Sequence, residues 1–110
     1  TETAEETEQD VLLHVPPLSL DLHNRQLHLF DRSIQLTQVE FTLLHYLMCH
    51  PAEIFSSEQL LQQVWGYPWG TADPSLVRWH IRNLRAKIEP DPAQPQYIRT
   101  VPHQGYLLLP

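Results

Sequence analysis

Residues 73–89 read DPSLVRWHIRNLRAKIE, and the fold follows from how this stretch is read. Asp73 offers a side-chain oxygen to the orphan amide donors of a helix start, and Pro74 suits the first helical position. Pro90-Asp91-Pro92 ends the helix near Glu89. At about 100° per residue, Val77, Ile81, Leu84 and Ile88 fall within about 40° of one another, so that stripe faces the core. Ser75, Arg78, Trp79, Arg82, Asn83, Arg85 and Ala86 occupy the opposite half. The outer half is therefore arginine-rich and carries an aromatic, not the usual mixture of Glu, Lys and Gln.

Two further helices precede it. Thr37-Gln38-Val39-Glu40 is a capping box, with Leu36 and Phe41 at the hydrophobic-staple positions. Phe41, Leu44, Leu47 and Met48 then form a buried stripe that ends near His50-Pro51. Ser56-Ser57-Glu58-Gln59 repeats the device, with Phe55 and Leu60 as staple. Leu60, Leu61, Val64 and Trp65 continue that second helix until Gly66 stops it. Residues 66–72 form a loop.

The flanks have a period of two. Leu18, Leu20 and Leu22 share one strand face, and Leu27 and Leu29 share the next. Pro16-Pro17 breaks the chain after Val11–Val15, and His23-Asn24 and Asp31-Arg32-Ser33 supply turn chemistry. Three or four short antiparallel strands are expected here. Tyr97–Val101 and Tyr106–Leu109 form a terminal hairpin around Pro102-His103-Gln104-Gly105. The order is sheet, three helices, hairpin: an α+β domain without internal repeats.

The 110 residues suffice for one domain. Hydrophobic residues make up 42% and charged ones 18%, the balance of a folded chain. Cys49 is the single cysteine, which excludes an internal disulfide and fits a reducing, cytoplasmic compartment. No apolar stretch approaches the roughly 20 residues that a membrane helix needs, so no membrane partner is expected. The chain starts at Thr1-Glu2-Thr3 with no initiator Met, which suggests a piece of a longer protein.

The net charge of −6 argues at first against a polyanionic partner, but its distribution reverses that. Glu2, Glu5, Glu6, Glu8 and Asp10 crowd into residues 1–10, which read as a solvated acidic linker ahead of a domain at 11–110. Four of the seven bases, Arg78, Arg82, Arg85 and Lys87, fall in one ten-residue window. Arginine forks match phosphate oxygens, and asparagine can pair with the N6/N7 edge of adenine. Trp79 and Leu76 can press on a thymine methyl. The helix thus combines charges that position it on a duplex with side chains that read base edges.

These segments resemble the OmpR/PhoB family, the C-terminal DNA-binding domains of two-component response regulators. The resemblance rests on residues 36–41 (LTQVEF), 57–61 (SEQLL), 64–67 (VWGY), 77–87 (VRWHIRNLRAK), 97–101 (YIRTV) and Gly105-Tyr106. It implies a winged helix-turn-helix: an N-terminal four-stranded antiparallel sheet, three helices and a C-terminal β-hairpin wing. It also implies sequence-specific binding of double-stranded DNA as the output domain of a phosphorelay response regulator. The helix at 74–88 would enter the major groove, and the wing at 97–109 would reach the minor groove.

By resemblance, Trp65, His80, Arg82, Arg85, Thr100 and Tyr106 stand at DNA-backbone positions, and Leu76, Trp79 and Asn83 at base positions. Tyr67 and Trp69 would lie in a loop facing RNA polymerase. A receiver domain would precede the linker and control dimerisation on DNA. The chain departs from the family at three places. Ser75 stands where many members carry a phosphate-binding Arg, Asn83 replaces a common Arg, and Pro102-His103 replaces the Arg-Gly of many wings. Each lost phosphate contact flattens the salt dependence by about one log unit per log unit of salt. The expectation is a weakly binding monomer whose affinity is completed by a second half-site.

His45 and Cys49 are spaced i, i+4 with His50 beside them, yet a zinc site wants four ligands, so no metal is assigned. His80 reads either as a phosphate donor or as a satisfied boundary residue. No Gly-rich phosphate loop and no catalytic triad can be placed by spacing, so no enzymatic role or cofactor is assigned. The rival function is a winged helix used for protein contacts, with Trp69 and Trp79 as anchors.

Overall fold

The structure is a computed structural model that describes residues 12–109. The acidic run at 1–10 lies outside the described residues. Four short strands come first: β1 (Leu12–Val15), β2 (Leu18–Asp21), β3 (Gln26–Leu29) and β4 (Arg32–Gln35). They pair antiparallel in the order β1-β2-β3-β4, with Leu20 opposite Leu13 and Leu27 opposite Leu20. Leu18, Leu20, Leu27 and Leu29 are all buried, so the alternating pattern sets the register of the whole sheet. The expected turn at Asp31-Arg32-Ser33 moves back. Leu29 pairs with Arg32, so Phe30 and Asp31 make the two-residue connection, with Phe30 at φ 56°.

Three helices follow: α1 (Gln38–Cys49), α2 (Ser57–Gln63) and α3 (Ser75–Ile88). Both capping boxes form. Thr37 Oγ1 accepts from Glu40 N and Glu40 Oε1 from Thr37 N, and Ser56 and Gln59 exchange the same pair of bonds. The stripe on α1 is wider than its period suggests. Leu43 is fully buried, whereas Phe41 is half-buried and stacks on His45. A helix in contact with β1, α3 and the C-terminal hairpin buries more than one stripe.

Helix α2 ends earlier than expected, at Gln63, and Val64 caps it. Gly66, at φ 76°, supplies the left-handed turn that lets its N–H and that of Tyr67 reach the carbonyls of Gln62 and Leu61. Helix α3 formally begins at Ser75, but Pro74 already has helical dihedrals, and Asp73 Oδ1 accepts from Ser75 N at 2.9 Å. That bond holds the Asp73 carboxyl below its usual range. Asp73 therefore does the capping.

Two further strands follow, β5 (Ile98–Val101) and β6 (Gly105–Leu108); β5 starts one residue later than the period predicts and ends where it should, and β6 is shifted one residue toward the N-terminus. Phe55 bridges to Tyr106 and ties the hairpin to the start of α2. One core links all layers: the inner sheet leucines, the α1 and α2 stripes, Val77, Ile81, Leu84 and Ile88 of α3, and Ile98, Tyr106 and Leu108.

Candidate nucleic-acid interface

With its apolar stripe sealed, α3 turns Arg78, Trp79 and Arg82 to solvent. Trp79 is 56% exposed, which is unusual for so large an aromatic on an otherwise well-packed helix. Ser75, Leu76, His80, Asn83 and Arg85 are half-buried along the two flanks. Among the base-position residues, Trp79 and Leu76 line one surface with Tyr67, Thr71 and Ala72 of the loop. Asn83 lies one turn further along the same face. The structure sets Trp79 and Leu76 on one surface and leaves Asn83 outside it, on the next turn of α3.

All seven Lys and Arg side chains lie among the described residues, and four are engaged. Arg25 donates to Gln38 Oε1, Arg32 to Lys87 O, Lys87 to Glu40 Oε1 at 2.6 Å, and Arg85 to the hairpin. No side-chain hydrogen bond or ion pair within the described residues engages Arg78, Arg82 or Arg99. A free guanidinium on a surface is available to an external anion. Two of the three free ones stand a turn apart on α3.

Arg85, expected at a DNA-backbone position, is tied to the hairpin in this structure. Its Nε donates to Ile98 O at 2.9 Å and its Nη2 to Thr100 Oγ1 at 2.7 Å, with the guanidinium 5.9 Å from the Tyr106 ring centroid. Burial pulls its pKa down, partly opposed by Tyr106 and Glu89. Arg85 fastens α3 to the hairpin, and Thr100, though exposed, is its partner. Tyr106 is buried beneath it.

Glu89 makes a second fastening. The buried carboxylate of Glu89 accepts from the backbone N–H groups of Gln96, Tyr97 and Ile98 at 2.6–3.2 Å. It satisfies the amides that lead into β5 and so fixes where the wing leaves α3. A glutamate just after a helix, followed by Pro90, looks from sequence like a solvated terminus; nothing local signals that three amides return to it.

On the far flank, His80 lies between two indoles: 5.2 Å from Trp65 in a stacked arrangement and 5.0 Å from Trp79 edge-on. Burial lowers its pKa, partly opposed by the charge of Glu40. At the hairpin tip Pro102, His103 and Gln104 are exposed, with His103 at φ 66°. The loop after α2 is ordered by Gly70 N–H to Glu58 Oε2 at 2.9 Å and by Thr71 Oγ1 to Pro68 O at 2.7 Å. Tyr67 and Trp69 stand exposed on it.

The histidine cluster resolves into local packing. His45 Nε2 meets Cys49 Sγ at 3.6 Å, while His50 packs on Tyr46 and Phe55 and faces Glu53. Among the described residues no three His, Cys, Asp or Glu side chains converge on a metal-sized site. No helix there is long and apolar enough to cross a membrane.

A four-stranded sheet, three helices and a terminal hairpin beside an outward cationic helix define a winged helix-turn-helix domain. The sequence pattern of the family described as "Transcriptional regulatory protein, C terminal" matches residues 31–108. The chain belongs to this OmpR/PhoB-type family of transcriptional regulators. It is 40% identical over 97 residues to the DNA-binding dual master transcriptional regulator RpaA of Synechocystis, covering 88% of this chain and 40% of RpaA. In structure it is similar to the DNA-binding domain of Klebsiella pneumoniae RstA, solved in complex with the RstA box. That match has a TM-score of 0.79 and 30% identity, and covers 89% of this chain and 96% of that one. It is equally similar, at TM-score 0.79 and 27% identity, to Thermotoga maritima DrrB, an OmpR/PhoB homologue, covering 98% of this chain and 49% of DrrB. The chain thus spans about 40% of RpaA's length.

Proposed function

We propose that this domain binds double-stranded DNA sequence-specifically and serves as the output domain of a cytoplasmic response regulator in a two-component phosphorelay. The observation that carries the reading is the outer side of α3. There Arg78 and Arg82 are exposed with no side-chain partner among the described residues, Trp79 is exposed, and the opposite side is sealed into the core. A helix of about 10–12 Å diameter fits the major groove of about 12 Å, and the hairpin at its flank then reaches the next minor groove.

In this arrangement Arg82 and His80 meet backbone phosphates, with Trp65 holding the His80 ring in place. Asn83, Trp79 and Leu76 face base edges. Asn83 favours adenine, and the two apolar side chains favour thymine methyls. Arg85, Thr100 and Tyr106 act chiefly by setting the angle between helix and wing. Pro102 and His103 occupy the wing tip, which approaches the minor groove.

The remaining assignments rest on the family. Tyr67 and Trp69 would face RNA polymerase. Residues 1–10 would link to a receiver domain whose phosphorylation brings two copies together on adjacent half-sites. The reading assigns the domain no catalytic role.

A selection from a pool of randomised duplexes at stated salt tests this directly. An enriched motif that is bound far more tightly than unrelated DNA is the expected outcome. Failure to enrich any motif, together with salt-insensitive capture of protein partners that needs Trp79, would sink it.

A further inference from the structure

We propose that Arg78, rather than Arg85, is the cation that holds the DNA backbone on the wing side of α3. The inference rests on the DNA-binding reading above. A helix lying in a major groove points its outermost residues at the bases, and its two flanks, roughly 90° away, at the phosphate rims. At about 100° per residue, Arg85 and Arg78 lie within about 20° of each other on the wing-side flank, opposite the flank that carries His80. Both are therefore candidates for the same rim. Only their surroundings separate them.

The Arg85 guanidinium is half-buried, with Nε on Ile98 O and Nη2 on Thr100 Oγ1. Two of its five N–H donors are thereby committed to the hairpin, and swinging the group out toward a groove rim would abandon both bonds. Arg78 sits two turns earlier, exposed, with no hydrogen bond or ion pair among the described residues. Asp73 feels its charge, but the Asp73 carboxylate accepts from the Ser75 amide, and Glu58, which lines the same cleft, accepts from the Gly70 amide. Arg78 also lines both clefts that meet beside the hairpin. One runs along α3 past Arg82 and Thr100, and the other runs past Ser56 to His103 at the wing tip. A strand crossing from the major groove to the minor groove would pass this junction.

The position gives Arg78 a further consequence. Pro102-His103 leaves the wing tip without a permanent charge, so Arg78 is the fixed cation nearest the cleft that ends at His103. It supplies phosphate attraction there from the helix, beside a wing tip that carries no Lys or Arg; the wing's own Arg99 lies on β5 and is not among the residues lining that cleft.

Titrations of the 110-residue chain decide it. They would use a duplex selected from the random pool and an unrelated duplex of equal length, each across a salt series. For Arg78→Ala the expected result is equal fold-weakening on both duplexes and a log K against log salt slope shallower by about 0.9. The urea midpoint should stay unchanged, and Arg78→Lys should recover the slope. A wild-type slope for Arg78→Ala, where Arg82→Ala flattens it, overturns the assignment. So does a loss confined to the selected duplex with altered preference at one base pair, which would make Arg78 a base reader. If the wild-type chain binds neither duplex, the DNA-binding reading itself falls.

Discussion

Arg85 Nη2 lies 2.7 Å from Thr100 Oγ1, joining the outward helix to the hairpin beside it across fifteen residues of sequence. Together with the bond to Ile98 O, this contact makes helix and wing one rigid reading head. A charge that looks from sequence like a free phosphate donor is built into the support.

Removing that fastening should therefore cost stability. Arg85→Ala leaves Ile98 O and Thr100 Oγ1 without their donor, and a loss of about 1–3 kcal/mol in urea unfolding is expected. Thr100→Val removes one bond of the two and should cost less. Arg82→Ala, an exposed change, should stay within about 0.5 kcal/mol of wild type. If Arg85→Ala is as stable as Arg82→Ala, the fastening is unimportant.

Gly105 begins β6 at φ 143°, and a Cβ there would sit 2.0 Å from Phe55 O. Gly105→Ala is thus strained in its backbone and collides with the strand-like bridge between Phe55 and Tyr106. Strain alone contributes about 1–3 kcal/mol, and the collision adds to it. Thermal melts should show a drop of several degrees or more, with loss of hairpin amide protection; an unchanged midpoint would contradict the geometry.

Glu40 is buried in the α1 capping box and takes the Lys87 ammonium. Burial pushes its carboxyl pKa up, but the Lys87 bond, the Thr37 amide and the Lys87 charge together outweigh it, leaving the value below the usual 4.5. A depressed carboxylate contributes stability that is present above the unfolded value and lost as pH falls through the folded one. Stability should therefore drop below about pH 4.5, and Lys87→Met should weaken that drop while costing about 1–3 kcal/mol near neutrality. An unchanged acid limb in Lys87→Met would remove Glu40 from the account.

His80 titrates in the opposite sense to an ion-paired histidine. Burial between Trp65 and Trp79 makes its imidazolium less favourable folded than unfolded, so its pKa falls below the usual 6.5. As pH falls through 6.5 the unfolded chain takes up the proton first, and stability declines until the folded value is passed. Above 6.5 the group has no effect. His80→Gln should flatten urea midpoints between about pH 7 and pH 5; an identical slope would mean that His80 is not desolvated.

Periodicity and caps made most of the fold legible. Thr37-Glu40 and Ser56-Gln59 form the boxes their spacing announces, and Val77, Ile81, Leu84 and Ile88 are sealed as their 3.6 period demands. The misreadings were local. The Phe30-Asp31 turn depends on strand register, which the alternation of one strand does not determine. Leu43 is buried because three elements surround α1, and a single helix pattern cannot show that.

The site was legible in composition but not in its internal bonds. That Trp79 and Arg82 face out follows from the helix period alone. That Arg85 is held by Ile98 and Thr100, and that Glu89 gathers three amides, depends on contacts with the hairpin, seven to fifteen residues on in sequence. Those bonds distinguish an arginine tied to the hairpin from the arginines of α3 whose side chains have no partner among the described residues.

The most direct test of the central claim, that the outer side of α3 is applied to DNA, is a salt series of binding isotherms for Arg82→Ala and Asn83→Ala. On selected and unrelated duplexes alike, Arg82→Ala should bind more weakly by the same factor, with a slope shallower by about 0.9. Asn83→Ala should keep the wild-type slope and lose about 1–3 kcal/mol of discrimination at one base pair. Binding by both variants indistinguishable from wild type would contradict it.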